Sequence, residues 1–461
     1  MDTRPLLLSG ATILTMDDRD RWYEEGAILV KSGKIEAIGL IQEIEYRLPP
    51  DCERIELPDR WILPGFINTH VHTSQQLARG LADDVDLLTW LRDRIWPYES
   101  QLTEEDCYIS TLLTGIELIR SGVTTFCEAG GQHVDAIGCA TEALGLRAML
   151  CRSTMDIPTG LPASWDSTKR ESLDQQIEHF WRWQNEAENR IRVCLGLRTI
   201  FNCSDDLILG TRDLAAELGI RINMHVAEIP AENDFCFQRS GKTVVEHLAD
   251  LKILGPNFLA VHCVWLTPQE IDLFAKFDVK VSHNPAAAMR VLGWPRITEM
   301  QHQHICVSLG TDGAPCNNRM TLIDEMWLAT LLQKARTQNP GAMPVESVLS
   351  MVTRDGARAL GWENEIGSLA EQKQADLVVI NPNTATMLPL HDPIANLVNA
   401  LREHNVESVM VGGNWVMRER QILTVNESEV CSEATKRATH IRERAGIVLP
   451  ERFWKVRKPG K

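Results

Sequence analysis

Nine residues, Pro64-Gly65-Phe66-Ile67-Asn68-Thr69-His70-Val71-His72, read as an apolar strand that ends in two histidines. Side chains on a strand alternate between faces, so residues two apart point the same way. His70 and His72 can therefore aim their imidazoles at one point. Neutral imidazoles converging on one point suit a divalent cation such as zinc. A single pair of this kind is a weak signal, because the pattern also arises on ordinary buried strands. Its weight depends on what the rest of the chain brings to the same place.

Four other apolar runs end in residues of matching chemistry. They are Met224-His225-Val226-Ala227-Glu228, Val261-His262-Cys263, Val281-Ser282-His283-Asn284-Pro285 and Leu309-Gly310-Thr311-Asp312-Gly313. Polar groups at the ends of buried strands are costly unless partnered, so this recurrence points to one shared site. His70, His72 and His225 offer neutral nitrogen, and Asp312 offers an anionic oxygen. Such a set can hold one metal and leave positions open for water, whose pKa the metal lowers to about 7. Glu228, just past a strand end, is suited to protonating a substrate as a general acid. His262 can hold or deprotonate the water from the side. His283 either orders a loop or takes part in the chemistry.

The elements that must position these residues follow from the hydrophobic pattern. Between residues 61 and 365, eight apolar runs alternate with segments of helical periodicity. The runs are Ile62 to His70, Val123 to Cys127, Arg147 to Arg152, Arg192 to Leu197, Arg221 to Val226, Phe258 to Cys263, Val279 to His283 and Cys306 to Thr311. Near-continuous apolar strands fit a parallel sheet buried on both faces. Eight such repeats predict an α/β fold, a (β/α)8 TIM-type barrel, with chemistry at the C-terminal ends of the strands. Residues 1–60 and 366–461 read as short strands and turns, with Gly412-Gly413-Asn414 as a hairpin signal. They are expected to join as one small β-sandwich domain built from both termini and closed by a helix from Glu427 to about Ala445. The charges of that helix, Glu433, Lys436, Arg437, Arg442, Glu443 and Arg444, read as a solvated face.

Composition narrows the function classes. The 461 residues carry 63 acids against 47 bases, a net charge of −16, which disfavours a nucleic-acid partner. No apolar run approaches the roughly 20 residues that would cross a bilayer as a helix. Met1-Asp2-Thr3-Arg4-Pro5 lacks a signal-peptide pattern. The 12 cysteines include no CxxC pair, and several lie in apolar runs, as buried thiols do in a reducing compartment. A cytoplasmic enzyme acting on a small molecule is expected. The 13 tryptophans suit a subunit interface, and a homo-oligomer is expected. Trp90, Trp96 and Trp294 are candidates for stacking on a substrate ring or for packing in a lid.

The five strand-end motifs, together with Arg79-Gly80-Leu81-Ala82-Asp83-Asp84, Trp96-Pro97-Tyr98-Glu99 and Gly367-Ser368 through Ala375-Asp376-Leu377-Val378, resemble the amidohydrolase superfamily. The resemblance is to the branch of methylthioadenosine/S-adenosylhomocysteine deaminases and s-triazine chlorohydrolases, and it covers nearly the whole chain. It implies one divalent metal per chain, zinc first and iron second, on His70, His72, His225 and Asp312. It implies hydrolytic deamination of an amino-substituted nitrogen heterocycle, with an adenosine-type nucleoside as the first expectation. In such enzymes hydroxide generated at the metal attacks the ring carbon bearing the amine. The residue matching Glu228 protonates the adjacent ring nitrogen, and those matching His262 and Asp312 orient the water and relay its proton. Glu99 and Arg152 match positions that contact the nucleoside sugar or its substituent.

Two positions depart from the pattern. The nucleoside deaminases carry a histidine in the turn after the fourth strand, where this chain has Arg198 in Gly196-Leu197-Arg198-Thr199-Ile200-Phe201. A guanidinium is a planar donor fork suited to a carboxylate or a carbonyl-rich ring. Arg198 is a candidate substrate contact or a salt bridge on the barrel rim. Cys316 stands where those deaminases usually have serine, close to the expected metal, and bears on which group leaves. These departures keep open a triazine hydrolase or a guanine- or pterin-type base deaminase. Cyclic-amide hydrolysis with two metals is disfavoured, since the fourth strand lacks the lysine that bridges them. A catalytically inactive binding protein remains the reading from another class, disfavoured by retention of every expected ligand.

Overall fold

A computed structural model of the chain describes residues 4–449. Eight parallel strands form the barrel: β1 Phe66–Val71, β2 Val123–Glu128, β3 Arg147–Cys151, β4 Ile191–Leu197, β5 Ile222–Val226, β6 Phe258–His262, β7 Lys280–His283 and β8 Val307–Leu309. They pair in chain order from β1 to β8. Between β8 and β1 the wall is closed by other bonds. The His70 carbonyl accepts from the Thr311 and Asp312 amides at 3.0 and 2.9 Å. The Thr69 hydroxyl meets the hydroxyls of Ser282 and Ser308, each at 2.8 Å. The barrel and the eight runs expected from hydrophobicity agree.

The helices around the barrel begin where short polar side chains can satisfy free backbone amides. Thr103, Thr168, Thr243 and Thr267 each cap a helix and are answered three residues on by Asp106, Glu171, Glu246 and Glu270. The final helix, Glu427–Arg444, packs on Glu104–Arg120. Two of the charges on its solvated face, the partly exposed Arg437 and the exposed Arg444, also tie it to that helix. Arg437 and Arg444 pair with the buried Asp106 at 3.0 and 2.6 Å.

One expected strand divides. The run Ile62 to His70 serves two sheets, with Gly65 as the joint. Trp61–Pro64 lies in the sheet of the termini, antiparallel to Leu377–Ile380 and parallel to Thr12–Ile13. Phe66 onward enters the barrel. A side chain at Gly65 would place its Cβ 2.2 Å from Thr124. Hydrophobicity alone could not show the joint, because both halves are buried.

The small β unit is one nine-stranded mixed sheet drawn from both ends of the chain. It curls until the edge strand Lys34–Leu40 meets the segment that leads into Leu377–Ile380: the Gly33 carbonyl accepts from the Ala375 amide at 2.9 Å, and Lys34 bridges Gln374. Ile28, Val30, Ile35, Leu377, Val379 and Met410 form the apolar core inside the curl. The Gly412-Gly413 turn has φ of 52° and 76°, the left-handed geometry of a tight hairpin. Arg147 on β3 and Asp376 are both 3% exposed and form a two-pronged bond across to this sheet, at 3.0 and 3.1 Å.

Candidate active site

The four histidines and the aspartate picked from strand ends converge. His70, His72 and His225 bring ring nitrogens together, as do His70, His262 and Asp312, with the atoms of each group within 4.8 Å of one another. His70 and His72 Nε2 lie 3.5 and 3.7 Å from Asp312 Oδ1, and His262 Nε2 lies 3.9 Å from Oδ2. All five residues are buried. The backbone turns sharply to deliver them: Ala227, His262, Cys263 and Asp312 have φ between 50° and 70°. Non-glycine residues in this region cost about 1–3 kcal/mol each and concentrate at functional sites.

Neighbours set the tautomers. His225 Nδ1–H donates to the Arg198 carbonyl at 2.8 Å, leaving its Nε2 lone pair free. That Nε2 faces His72 Nε2 at 3.4 Å. The Asn284 amide donates to His262 Nδ1 at 3.1 Å, so Nε2–H turns toward Asp312 and toward Glu228 Oε1, 3.6 Å away. Burial, with the Arg198 charge and the other histidines, holds His72 and His225 well below the ordinary imidazole pKa. Burial takes His262 down to about 3. Burial works to raise Asp312, but His70, 3.5 Å away, and the other surrounding imidazoles hold it well below the usual carboxylate range. Glu228 is the reverse case. Burial, then the charges of Glu232 and Asp312, push its carboxyl well above the usual value, the direction that suits a proton donor.

These residues fit a divalent cation. Neutral imidazoles present lone pairs to one another and to a carboxylate, and both ring nitrogens of His70 lack a hydrogen-bond partner although buried. A cation among them would satisfy these orphaned atoms at once. His70, His72, His225 and Asp312 could hold it, with His262 beside them.

Two openings meet at Arg198. One, of about 490 Å³ empty space, is lined by His72, His225 and Asp312 with Glu228, His262, Trp90, Arg198 and Cys316. The second, of about 350 Å³, is lined by Glu99, Trp96, Leu102, Met155, Trp165 and Arg198, with His133 and Ser153 at its wall. Arg198 borders both. Its guanidinium makes no hydrogen bond or ion pair among the described residues, so the salt-bridge reading does not hold and the donor fork is free. Glu99 is buried and accepts one bond, from Gln75 Nε2 at 2.8 Å.

Three further expected residues sit as follows. Arg152 bonds Gln175 Oε1 at 3.1 Å and the Gln132 carbonyl at 3.3 Å, and neither cavity's lining includes it. His283 is fully buried with both ring nitrogens unpartnered, and burial lowers it to about 3. The Cys316 thiol donates to the Gly313 carbonyl at 3.0 Å, and burial beside Asp312 raises it well above its ordinary value, so it is no nucleophile. Trp294 is 59% exposed and stands away from both openings. Asn284 and Glu232 escaped the sequence reading. Glu232 accepts from the Ala227 and Glu228 amides at 3.0 and 2.9 Å and so pins the turn that carries Glu228.

The family model of the amidohydrolase family matches residues 61–416, barrel and site included. The chain belongs to the amidohydrolase family. A 5'-deoxyadenosine deaminase of Methanobrevibacter smithii is 36% identical over 449 residues, 96% of this chain and 99% of that protein. A 5-methylthioadenosine/S-adenosylhomocysteine deaminase of Syntrophomonas wolfei is 34% identical over 435 residues, 94% and 98% of the two chains. An adenosine deaminase of Xanthomonas campestris, solved with bound zinc, superposes with a TM-score of 0.90 at 27% identity, covering 95% and 98%. A triazine hydrolase of Arthrobacter aurescens reaches 0.87 at 22% identity over 94% and 99%, a likeness of fold. This family enzyme is thus a hydrolase, similar over its whole described length to deaminases of adenosine-type nucleosides.

Proposed function

We propose that the protein is a metal-dependent deaminase of adenine nucleosides modified at the 5' carbon. The observation that carries this reading is a buried carboxyl, Glu228, facing a cation-ready cluster across an opening that meets, at Arg198, a second one lined by Glu99. The relatives' activities support it. His70, His72, His225 and Asp312 would hold one divalent ion, zinc in first place and iron in second. That ion supplies Lewis acidity that brings the pKa of water to about 7.

The protein's own groups do the rest. Glu228 gives its proton to the ring nitrogen beside the amine-bearing carbon as water oxygen attacks that carbon. Asp312 takes the proton the water loses. His262, neutral and held by Asn284, turns its Nε2–H toward Asp312 and keeps the water oriented. Returned to the amino group, that proton makes ammonia the leaving group: the carbon–nitrogen bond breaks, the hydroxyl proton passes to Glu228, and a ring carbonyl remains. Glu99 has acceptor capacity left for sugar hydroxyls, and Arg198 can donate to the base or sugar where the two openings join. Arg152 braces the wall through Gln175, behind Ser153.

The reading extends to a cytoplasmic homo-oligomer with the barrel as catalytic unit and the terminal sheet as its support. Twelve free thiols support the compartment, and exposed Trp22, Trp181 and Trp327 support a subunit interface. No helix among the described residues is long and apolar enough to cross a membrane. The test is ammonia release from a panel of adenine nucleosides, guanine, pterins and triazines by protein of measured metal content. Turnover confined to adenine nucleosides, lost on chelation and restored by zinc, is the expected result. Turnover of triazines or pterins alone would replace the reading, and two metal equivalents per chain would overturn the single-ion site.

A further inference from the structure

The opening beyond Arg198 has a composition that bears on what lies at the far end of the substrate. This inference rests on the nucleoside-deaminase reading. With the purine at the metal cluster and the sugar hydroxyls on Glu99, the 5' side of the sugar lies along Trp96, Leu102, Met155 and Trp165. These are aromatic, aliphatic and thioether surfaces. Met155 is 7% exposed, and a turn at Ala163–Trp165 presents the second indole. Among the lining residues the charged side chains are Glu99 and Arg198, and Arg198 is at the junction with the base. His133 Nε2–H is committed to the Leu102 carbonyl at 2.9 Å, which leaves Nδ1 as an acceptor. Arg152 would be the natural partner for a carboxylate, yet its Nε and one Nη hold Gln175 and the Gln132 carbonyl, and the lining of the opening does not include it.

A 5' group that carried an amino acid would bring its carboxylate past Glu99 and the indoles, on the side away from Arg198, the one Arg or Lys of the lining. An unpaired charge moved out of water is strongly disfavoured, whereas methyl and thioether groups gain from the same surfaces. We propose that this site selects nucleosides with a small uncharged 5' group, such as deoxy or methylthio, and rejects the zwitterionic tail of S-adenosylhomocysteine. The same wall disfavours a 5' hydroxyl more mildly, because it offers that hydroxyl little to bond.

Zinc-loaded protein would be assayed for kcat/KM on 5'-deoxyadenosine, 5'-methylthioadenosine, adenosine and S-adenosylhomocysteine. The first two should exceed S-adenosylhomocysteine by about 100-fold, in the range set by burying an unpaired polar group. A ratio below about tenfold overturns the proposal while leaving the deaminase reading intact. No turnover of any of the four ends that reading and the proposal with it. Quenching of tryptophan fluorescence gives a second readout, since Trp96 and Trp165 are covered by the tail. 5'-Methylthioadenosine should quench at concentrations where S-adenosylhomocysteine does not, and equal quenching overturns the proposal. Trp165→Ala, in a half-exposed turn, should cost 5'-methylthioadenosine about tenfold in kcat/KM and adenosine less than threefold, given the area an indole covers. Equal losses would remove the wall's role in selection.

Discussion

Each histidine of the cluster is individually costly, and the cost is what makes it informative. A buried imidazole without a partner destabilises the fold, and His70 has two such nitrogens. The strand-end positions of His70, His72, His225, His262 and Asp312 could be read from sequence because strand periodicity fixes which way a side chain points. Asn284 and Glu232 could not, because their roles depend on loops whose paths no periodicity describes. Arg152 shows the other limit: a matching position predicts a neighbourhood, whereas Gln175 decides where the guanidinium turns. Two outcomes belong to single residues. Glu228→Gln should retain metal, measured by elemental analysis, and lose about 10²–10⁴ in kcat, the usual contribution of a general acid. Arg198→Met keeps the backbone carbonyl that holds His225, so metal content should stay unchanged. Its KM should rise about tenfold or more with the loss of a charged donor, each such bond being worth about 1.5–3 kcal/mol. Unchanged KM would place the guanidinium outside the substrate's reach.

Elements contribute by aiming side chains that act through others. The turn after β7 does this for catalysis, since Asn284 fixes which nitrogen of His262 on β6 bears the proton. Asn284→Ala should lower kcat by about 10–100-fold with little change in KM, the range seen when such orienting bonds are lost, and steady-state kinetics on the best substrate will show it. The eight barrel strands were legible because each is an apolar run flanked by helical pattern. The joint at Gly65 was not, because the residues on its two sides are equally buried and only their pairing partners differ. The charged face of Glu427–Arg444 is largely solvated as its pattern suggests, but its ties were not legible for a related reason: Asp106, the group that Arg437 and Arg444 bind, is more than 300 positions away.

At the scale of the whole molecule, barrel and terminal sheet are bolted together by the buried Arg147–Asp376 pair. Removing one member of such a pair typically costs about 3–5 kcal/mol. Asp376→Asn should therefore lower the melting temperature measurably while metal content per folded chain is preserved. Stability should also depend on pH in a direction set by buried carboxyls. Burial raises Glu325 to about 8, and Glu128 and Glu232 to about 7, from an ordinary 4.5. The folded chain thus keeps protons that the unfolded chain releases above about pH 4.5, and stability falls as pH rises toward 8. On the acid side, Asp17 and Asp106 are held low by their arginine partners, and stability falls there as pH drops. Denaturant unfolding followed between pH 5 and 8 should show the decline on the alkaline side, and Glu325→Gln should flatten it.

The shared run across Gly65 has a consequence for how the protein comes into being. The strand that ends in the first two imidazoles is seated, at its other end, against Leu377–Ile380, which the ribosome delivers more than 300 residues later. A nascent chain can make every barrel strand and still hold the Trp61–Pro64 half of that run by one edge only, against Thr12–Ile13. Full seating of the run is therefore a late event in folding, timed by the arrival of a strand that lines neither opening of the site.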